Sequence, residues 1–225
     1  MGDGTPASLP AKIAEQPEGV SDDNSGQSEP RGWYSRGYLP HFDAGESRTQ
    51  FITCRLYDSL PQNILTRIAE EIELRKPENI SRETFILAEK YMDNGYGQCF
   101  LGKRSVAEVI RNTLKKFDGE KYKLHAWVVM PNHIHVLMRA AKGHKLEKIM
   151  HSIKSYSAME ANKLLGRKGH FWMRETFDRY IRDSDHFERA FRYIENNPVK
   201  ASLCSKPEDW EFSSAWNGDT LTGED

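Results

Sequence analysis

Residues 124–165, LHAWVVMPNHIHVLMRAAKGHKLEKIMHSIKSYSAMEANKLL, decide the fold. Lys123–Val129 and His133–Arg139 are rich in β-branched and apolar residues and read as two strands. Only a tight turn at Pro131-Asn132 separates them, so they are expected to pair antiparallel nearby. Side chains alternate along a strand, which puts His133 and His135 on one face and Ile134, Val136 and Met138 on the other. Lys142-Gly143 breaks the chain, and His144 leads into a helix over about 145–165. On that helix Leu146, Ile149, Met150, Ile153, Ser157, Ala161 and Leu164 recur at spacings of three and four and make a core stripe. Tyr156 falls at the edge of the stripe, and Glu160 lies one turn further along the same side.

Working outward, residues 50–56, QFITCRL, have the make-up of a strand. Ser59-Leu60-Pro61 opens a helix whose stripe is Ile64, Ile68 and Ile72. Residues 81–94 form a second helix, with Phe85, Leu87, Ala88 and Tyr91, ended by Asn94-Gly95 and Gly97. Residues 105–117 form a third, with Val106, Val109, Ile110 and Leu114 at helical spacing. Downstream, Gly166 and Gly169 close the long helix, and residues 177–181 read as a strand. Ser184 or Asp185 caps a last helix with Phe187, Ala190, Phe191 and Ile194 inward, predicted to stop before Asn197-Pro198. No internal repeat is present.

Composition narrows the function classes. Charged residues make up 29% of the chain and mean hydropathy is −0.72, while no apolar run nears the length of a membrane span, roughly 20 residues. The N-terminus has no basic segment followed by an apolar core. Cys54, Cys99 and Cys204 are isolated, giving neither a disulfide framework nor a zinc pattern, which fits a cytoplasmic protein. Residues 1–30 carry Asp3, Glu15, Glu18, Asp22, Asp23 and Glu29 against Lys12 and read as a disordered acidic tail. A folded domain is expected over 31–216, with a flexible tail at 217–225. Within 139–168 the balance reverses: Arg139, Lys142, Lys145, Lys148, Lys154, Lys163, Arg167 and Lys168 face only Glu147 and Glu160. Such a cluster suits a polyanion; the bland alternative is a solvated helix face.

Two imidazoles side by side on a sheet can hold a divalent metal, and they leave its coordination incomplete. An oxygen ligand is needed. If Tyr156 reaches a metal-bound phosphate, Glu160, four residues on, can reach the metal. The competing readings are a salt bridge from Glu160 to Lys163 and a half-buried aromatic at Tyr156. A phenol with a pKa near 10 is a poor nucleophile at neutral pH, and a metal that polarises the phosphate lets it compete. Attack would leave a covalent phosphotyrosine that conserves the bond energy, which suits strand transfer better than hydrolysis.

The motifs PNHIHVLM, KSYSAMEANKLLGRKGHFWMRETFDRYIRD and FRYIENNPVKASLC, with GYLPHFD and LYDSLP upstream, resemble the REP-associated tyrosine transposases. That family lies within the single-tyrosine transposases of the HUH nuclease superfamily, and the resemblance spans about residues 32–216. It implies a ferredoxin-like α+β domain with a central antiparallel sheet. It also implies a divalent ion, Mg2+ or Mn2+, held by His133 and His135, with Tyr156 as nucleophile and Glu160 at the third-ligand position. The implied activity is cleavage of single-stranded DNA at hairpin-forming repeats through a 5′-phosphotyrosine, with strand transfer. Lys154, Lys163, Arg167 and Lys168 are the residues expected to track the DNA backbone. Trp33, Tyr34, Phe171 and Trp172 are the aromatics available to stack on bases. Asn196-Asn197-Pro198 resembles the family but also reads as a plain helix stop. A monomer or a homodimer is expected, and no membrane partner. A non-cutting nucleic-acid-binding regulator and a metal-dependent phosphodiesterase are the rival functions.

Overall fold

The structure is a computed structural model and describes residues 32–36, 39–43 and 48–218. The tail expected at 1–30 and most of the C-terminal tail lie outside these residues, as do the side chains of Trp33 and Tyr34. Strands β1 (Gly32–Arg36) and β2 (Leu39–Asp43) form an antiparallel hairpin. β3 (Thr49–Arg55) is followed by α1 (Gln62–Arg75), α2 (Ile80–Asp93) and α3 (Arg104–Lys115). β4 (Tyr122–Val129), β5 (His133–Ala140), α4 (Leu146–Leu164), β6 (Phe177–Tyr180) and α5 (Ser184–Lys200) complete the order.

The main sheet runs β4-β5-β3-β6 with every pair antiparallel. β3-α3-β4-β5-α4-β6 is therefore the βαββαβ unit of a ferredoxin-like domain, the α+β class expected from the sequence. The α1–α2 hairpin is an insertion between the first strand and its helix, with a small core of its own around Ile64, Ile68, Ile72 and Leu87. α5 is an addition after the last strand.

The two faces of the sheet are built from different chemistry. On one, Ile52, Cys54, Ile134, Val136 and Met138 meet the stripes of α3 and α4, including Val106, Ile110, Leu114, Ile149, Met150 and Ile153. Burying each large aliphatic side chain here contributes about 1.5–3 kcal/mol. Ser157 interrupts the α4 stripe without penalty, because its hydroxyl donates to the Ile153 carbonyl and accepts from Trp172 Nε1 at 2.9 Å. Leu164, expected in the stripe, is exposed near the helix end. On the other face, Phe51, Ala126, Val128 and Leu137 pack under Ala190 and Ile194 of α5.

The outer edge of β4 is closed by the C-terminal segment: Val129 N–H donates to Phe212 O at 2.8 Å and Ser214 N–H to Trp127 O at 2.9 Å. α5 does not stop before Asn197. It continues through Pro198 to Lys200, and Ala201 N–H donates to the Asn197 carbonyl at 3.0 Å. A proline so near the helix end removes a single amide donor, so the last turn survives it. No described helix is long and apolar enough to cross a membrane.

Candidate metal centre and nucleophile

His133 and His135 stand on the α5 face of the sheet, fully buried, with their Nε2 atoms 3.1 Å apart. Each ring is fixed from behind. His133 Nδ1 lies 2.7 Å from Asn132 Oδ1. The Asn132 amide is itself oriented, because its Nδ2 donates to the Met92 and Tyr96 carbonyls at 3.0 and 2.9 Å. Its oxygen must then accept, so His133 Nδ1 carries the proton and Nε2 presents a lone pair. His135 Nδ1 meets Thr53 Oγ1 at 2.8 Å, and a hydroxyl can donate or accept, so either tautomer is accommodated. Phe51 stacks on the His135 ring with centroids 5.3 Å apart.

The acidic partner comes from the inserted hairpin. Glu89 on α2 is buried, and its Oε2 lies 3.1 Å from His135 Nε2. Ligand atoms of Glu89, His133 and His135 all lie within 4.8 Å of one another. Asp93, one turn on, puts Oδ1 at 3.8 Å from His133 Nε2 while Lys200 holds its Oδ2 at 2.7 Å. Tyr193 of α5 donates its hydroxyl to Glu89 Oε2 at 2.6 Å, with its ring 5.5 Å from that of His135. Asn197, one turn beyond Tyr193, is fully buried.

The electrostatics of this cluster leave room for a cation. Burial, with His135 alongside, pulls His133 down to about 3, so it is neutral and able to ligate. Burial would raise Glu89, but attraction and a hydrogen bond from His135 outweigh it and hold the carboxylate at about 2. Burial and the Glu89 anion push the Tyr193 phenol well above its usual range. Four atoms find no partner of good geometry: Glu89 Oε1, Asp93 Oδ1 and both amide atoms of Asn197. Asn197 sits close enough to lower the phenol's pKa somewhat, yet makes no full hydrogen bond. Convergent lone pairs, a carboxylate and orphaned buried oxygens are the donor set a hard or borderline divalent ion requires, so these residues fit one.

The residues read from the sequence as companions of the histidines lie elsewhere. Tyr156 is exposed on α4, where Lys116, just past the end of α3, sits over its ring at 5.6 Å. α4 covers the Ile134–Val136–Met138 face, opposite to the histidines, so neither Tyr156 nor Glu160 is brought to them. Trp172 and Phe171 are core residues rather than stacking surfaces. The Lys154 ammonium is spent on Met173 O, Arg174 O and Thr176 Oγ1, pinning the loop before β6. Arg167 donates to the His170 carbonyl at 3.2 Å and lies over Phe100, while Lys163 and Lys168 are exposed. Sequence reasoning gave no site role to Glu89, Asp93, Tyr193 or Asn197, although the last two lie in the FRYIENNPVKASLC stretch that carries the resemblance. The available signal was polarity inside apolar stripes: Glu89 adjoins Phe85 and Ala88 on α2, and Asn197 follows Ile194 by three on α5.

A REP-associated tyrosine transposase solved bound to a REP hairpin is similar at 20% identity and TM-score 0.46, covering 83% of this chain and 82% of that one. A putative transposase from Deinococcus radiodurans R1 is similar at 15% identity and TM-score 0.38, covering 73% of this chain and 96% of that one. No curated protein matches significantly. The family model described as "Transposase IS200 like" matches residues 81–197, a span running from α2 through β4 and β5 to Asn197 of α5. That span is more than half of the chain and takes in Glu89, Asp93, His133, His135, Tyr193 and Asn197, and the chain belongs to the IS200-like transposase family.

Proposed function

We propose that this transposase is a metal-dependent single-strand DNA endonuclease and strand-transferase whose nucleophile is Tyr193 and whose ion is held by His133, His135 and Glu89. The observation that carries the reading is the Tyr193 hydroxyl, 2.6 Å from the carboxylate that completes the only His/Glu cluster of this kind among the described residues. Asp93 and Asn197 are the adjacent groups able to fill remaining positions. A bound divalent ion supplies charge neutralisation at the scissile phosphate and lowers the cost of phenolate formation. The protein's own groups do the rest. Asn132 and Thr53 fix the two imidazoles, Glu89 orients the phenolic O–H, and α5 carries the nucleophile on a rigid element. Attack by Tyr193 Oη forms the Oη–P bond and breaks P–O3′; the phenolic proton is lost and the departing 3′-oxygen gains one, leaving a 5′-phosphotyrosine and a free 3′-hydroxyl. Strand transfer is the reverse reaction with a different 3′-hydroxyl. Hairpin-forming repeats are the substrate expected from the resemblance of the sequence.

The test is a denaturing gel of the full chain with hairpin-bearing single-stranded oligonucleotides and Mn2+. A covalent adduct is expected from the wild type and from Tyr156→Phe, and none from Tyr193→Phe. An adduct that survives Tyr193→Phe and disappears with Tyr156→Phe overturns the assignment.

A further inference from the structure

Four arginines lie toward the Tyr193 side of the sheet, with no salt-bridge partner among the described residues. Arg179 on β6 is the direct cross-strand neighbour of Phe51, the residue stacked on His135, so it stands on the histidine face of the sheet. Arg189 precedes Tyr193 by four residues on α5, one turn toward the helix start. Arg82 precedes Glu89 by seven on α2, two turns along the same side. Arg182 lies in the β6–α5 connection, where its backbone N–H donates to His186 Nδ1 at 3.3 Å. All four are exposed.

Two groups sense this cluster. Partial desolvation and then Arg182, Arg82 and Arg189 pull Arg179 below the usual arginine range, and Tyr193 acts on it in the opposite direction. Burial and then Arg179 and Arg182 hold His186 below its ordinary value. The nearby carboxylates are committed elsewhere. Asp183 accepts from His186 N–H as the cap of α5, Glu188 pairs with Arg192, and Asp178, registered with Ile52, alternates to the other face of the sheet. Among the described residues no carboxylate lies within ion-pair distance of these four guanidinium groups.

Like charges gathered on three elements repel one another, and nothing in the core requires them there. Guanidinium groups are planar donors matched to phosphate oxygens, and neutralising consecutive phosphates releases counterions. We propose that Arg82, Arg179, Arg182 and Arg189 form a phosphate clamp that holds the backbone of single-stranded DNA on the side of Tyr193 nearer the start of α5. The clamp rests on the reading of Tyr193 as the reacting group. It also moves the DNA track from the α4 surface to the opposite face of the sheet.

The test is fluorescence anisotropy of a labelled oligothymidylate with the full chain in EDTA, across a salt series. Arg179→Gln/Arg189→Gln is compared with Lys163→Gln/Lys168→Gln on α4 and its exit. Removing two contacts to single-stranded DNA should lower the slope of log K against log salt by about 1.4 and weaken binding roughly tenfold. The α4 pair should leave both unchanged, and Arg179→Lys/Arg189→Lys should restore most of the slope. Unaltered thermal melting excludes a folding defect, since the four side chains are exposed. Polyglutamate competing as well as oligothymidylate would show a nonspecific anion surface and overturn the clamp. An unchanged slope in the arginine pair overturns it while the adduct assay leaves Tyr193 standing. Arginine-dependent binding with no Tyr193 adduct does the reverse.

Discussion

The two faces of the central sheet are made by the same strands and differ in almost everything else. Ile134, Val136 and Met138 of β5 meet α3 and α4 in a continuous apolar layer. One residue out of phase, His133 and His135 meet Glu89 and Tyr193 from α2 and α5. The first face holds the domain together. The second face concentrates buried polar groups, several of them unpartnered, and contributes less to folding than its burial suggests. The pleat lets one strand serve both purposes, because alternate side chains never share a surroundings.

The comparison breaks if substitutions on the two faces have the same effect. The largest expected change is Ile134→Ala, which should cost about 2–5 kcal/mol in urea unfolding while leaving Mn2+ affinity nearly unaltered by calorimetry. Glu89→Gln should act mainly on the ion, lowering Mn2+ affinity about tenfold or more by calorimetry. Acid sharpens the contrast. In the metal-free protein His133 is held near 3, below its unfolded value, and Glu89 near 2, also below its unfolded value. In each case the unfolded chain takes up a proton that the folded chain refuses. The stability due to His133 is therefore complete above about pH 6.5 and lost as pH falls toward 3, and that due to Glu89 fades from about 4.5 toward 2. Thermal melts of the wild type and His133→Gln across this range should converge toward low pH; parallel curves would count against the assignment. The smallest expected effect is Ser157→Ala on the apolar face, about 1–3 kcal/mol, because Trp172 Nε1 is left without an acceptor.

The elements themselves were legible. Period two located β4 and β5, and spacings of three and four located α1 to α5; the β1–β2 hairpin went unread, and α5 runs on through Pro198. The histidine pair and its shared face followed from alternation alone. The helix that crosses above that face did not, because an amphipathic stripe says that a helix packs and not which side of the sheet it packs on. Ile149 and Ile153 on α4 are no different in kind from Ala190 and Ile194 on α5, and the side is set by chain topology. Tyr156 was singled out by its place on α4 and by the family resemblance, whereas Tyr193 lies 58 positions after His135 and is brought to it by the fold. Glu89 was less visible still, since it precedes the histidines and sits in an insertion outside the βαββαβ unit.

The bonds from Asn132 to the Met92 and Tyr96 carbonyls tie the turn before the histidines to the end of α2, about forty residues earlier. β4 and β5 can zip through a short turn, but Glu89 arrives only when the inserted hairpin has docked, a step with a longer loop to close. Contacts that close after β4 and β5 have paired are expected to act on the rate of unfolding more than on the rate of folding; Asn132→Ala should then speed unfolding in stopped-flow measurements and leave refolding nearly unchanged.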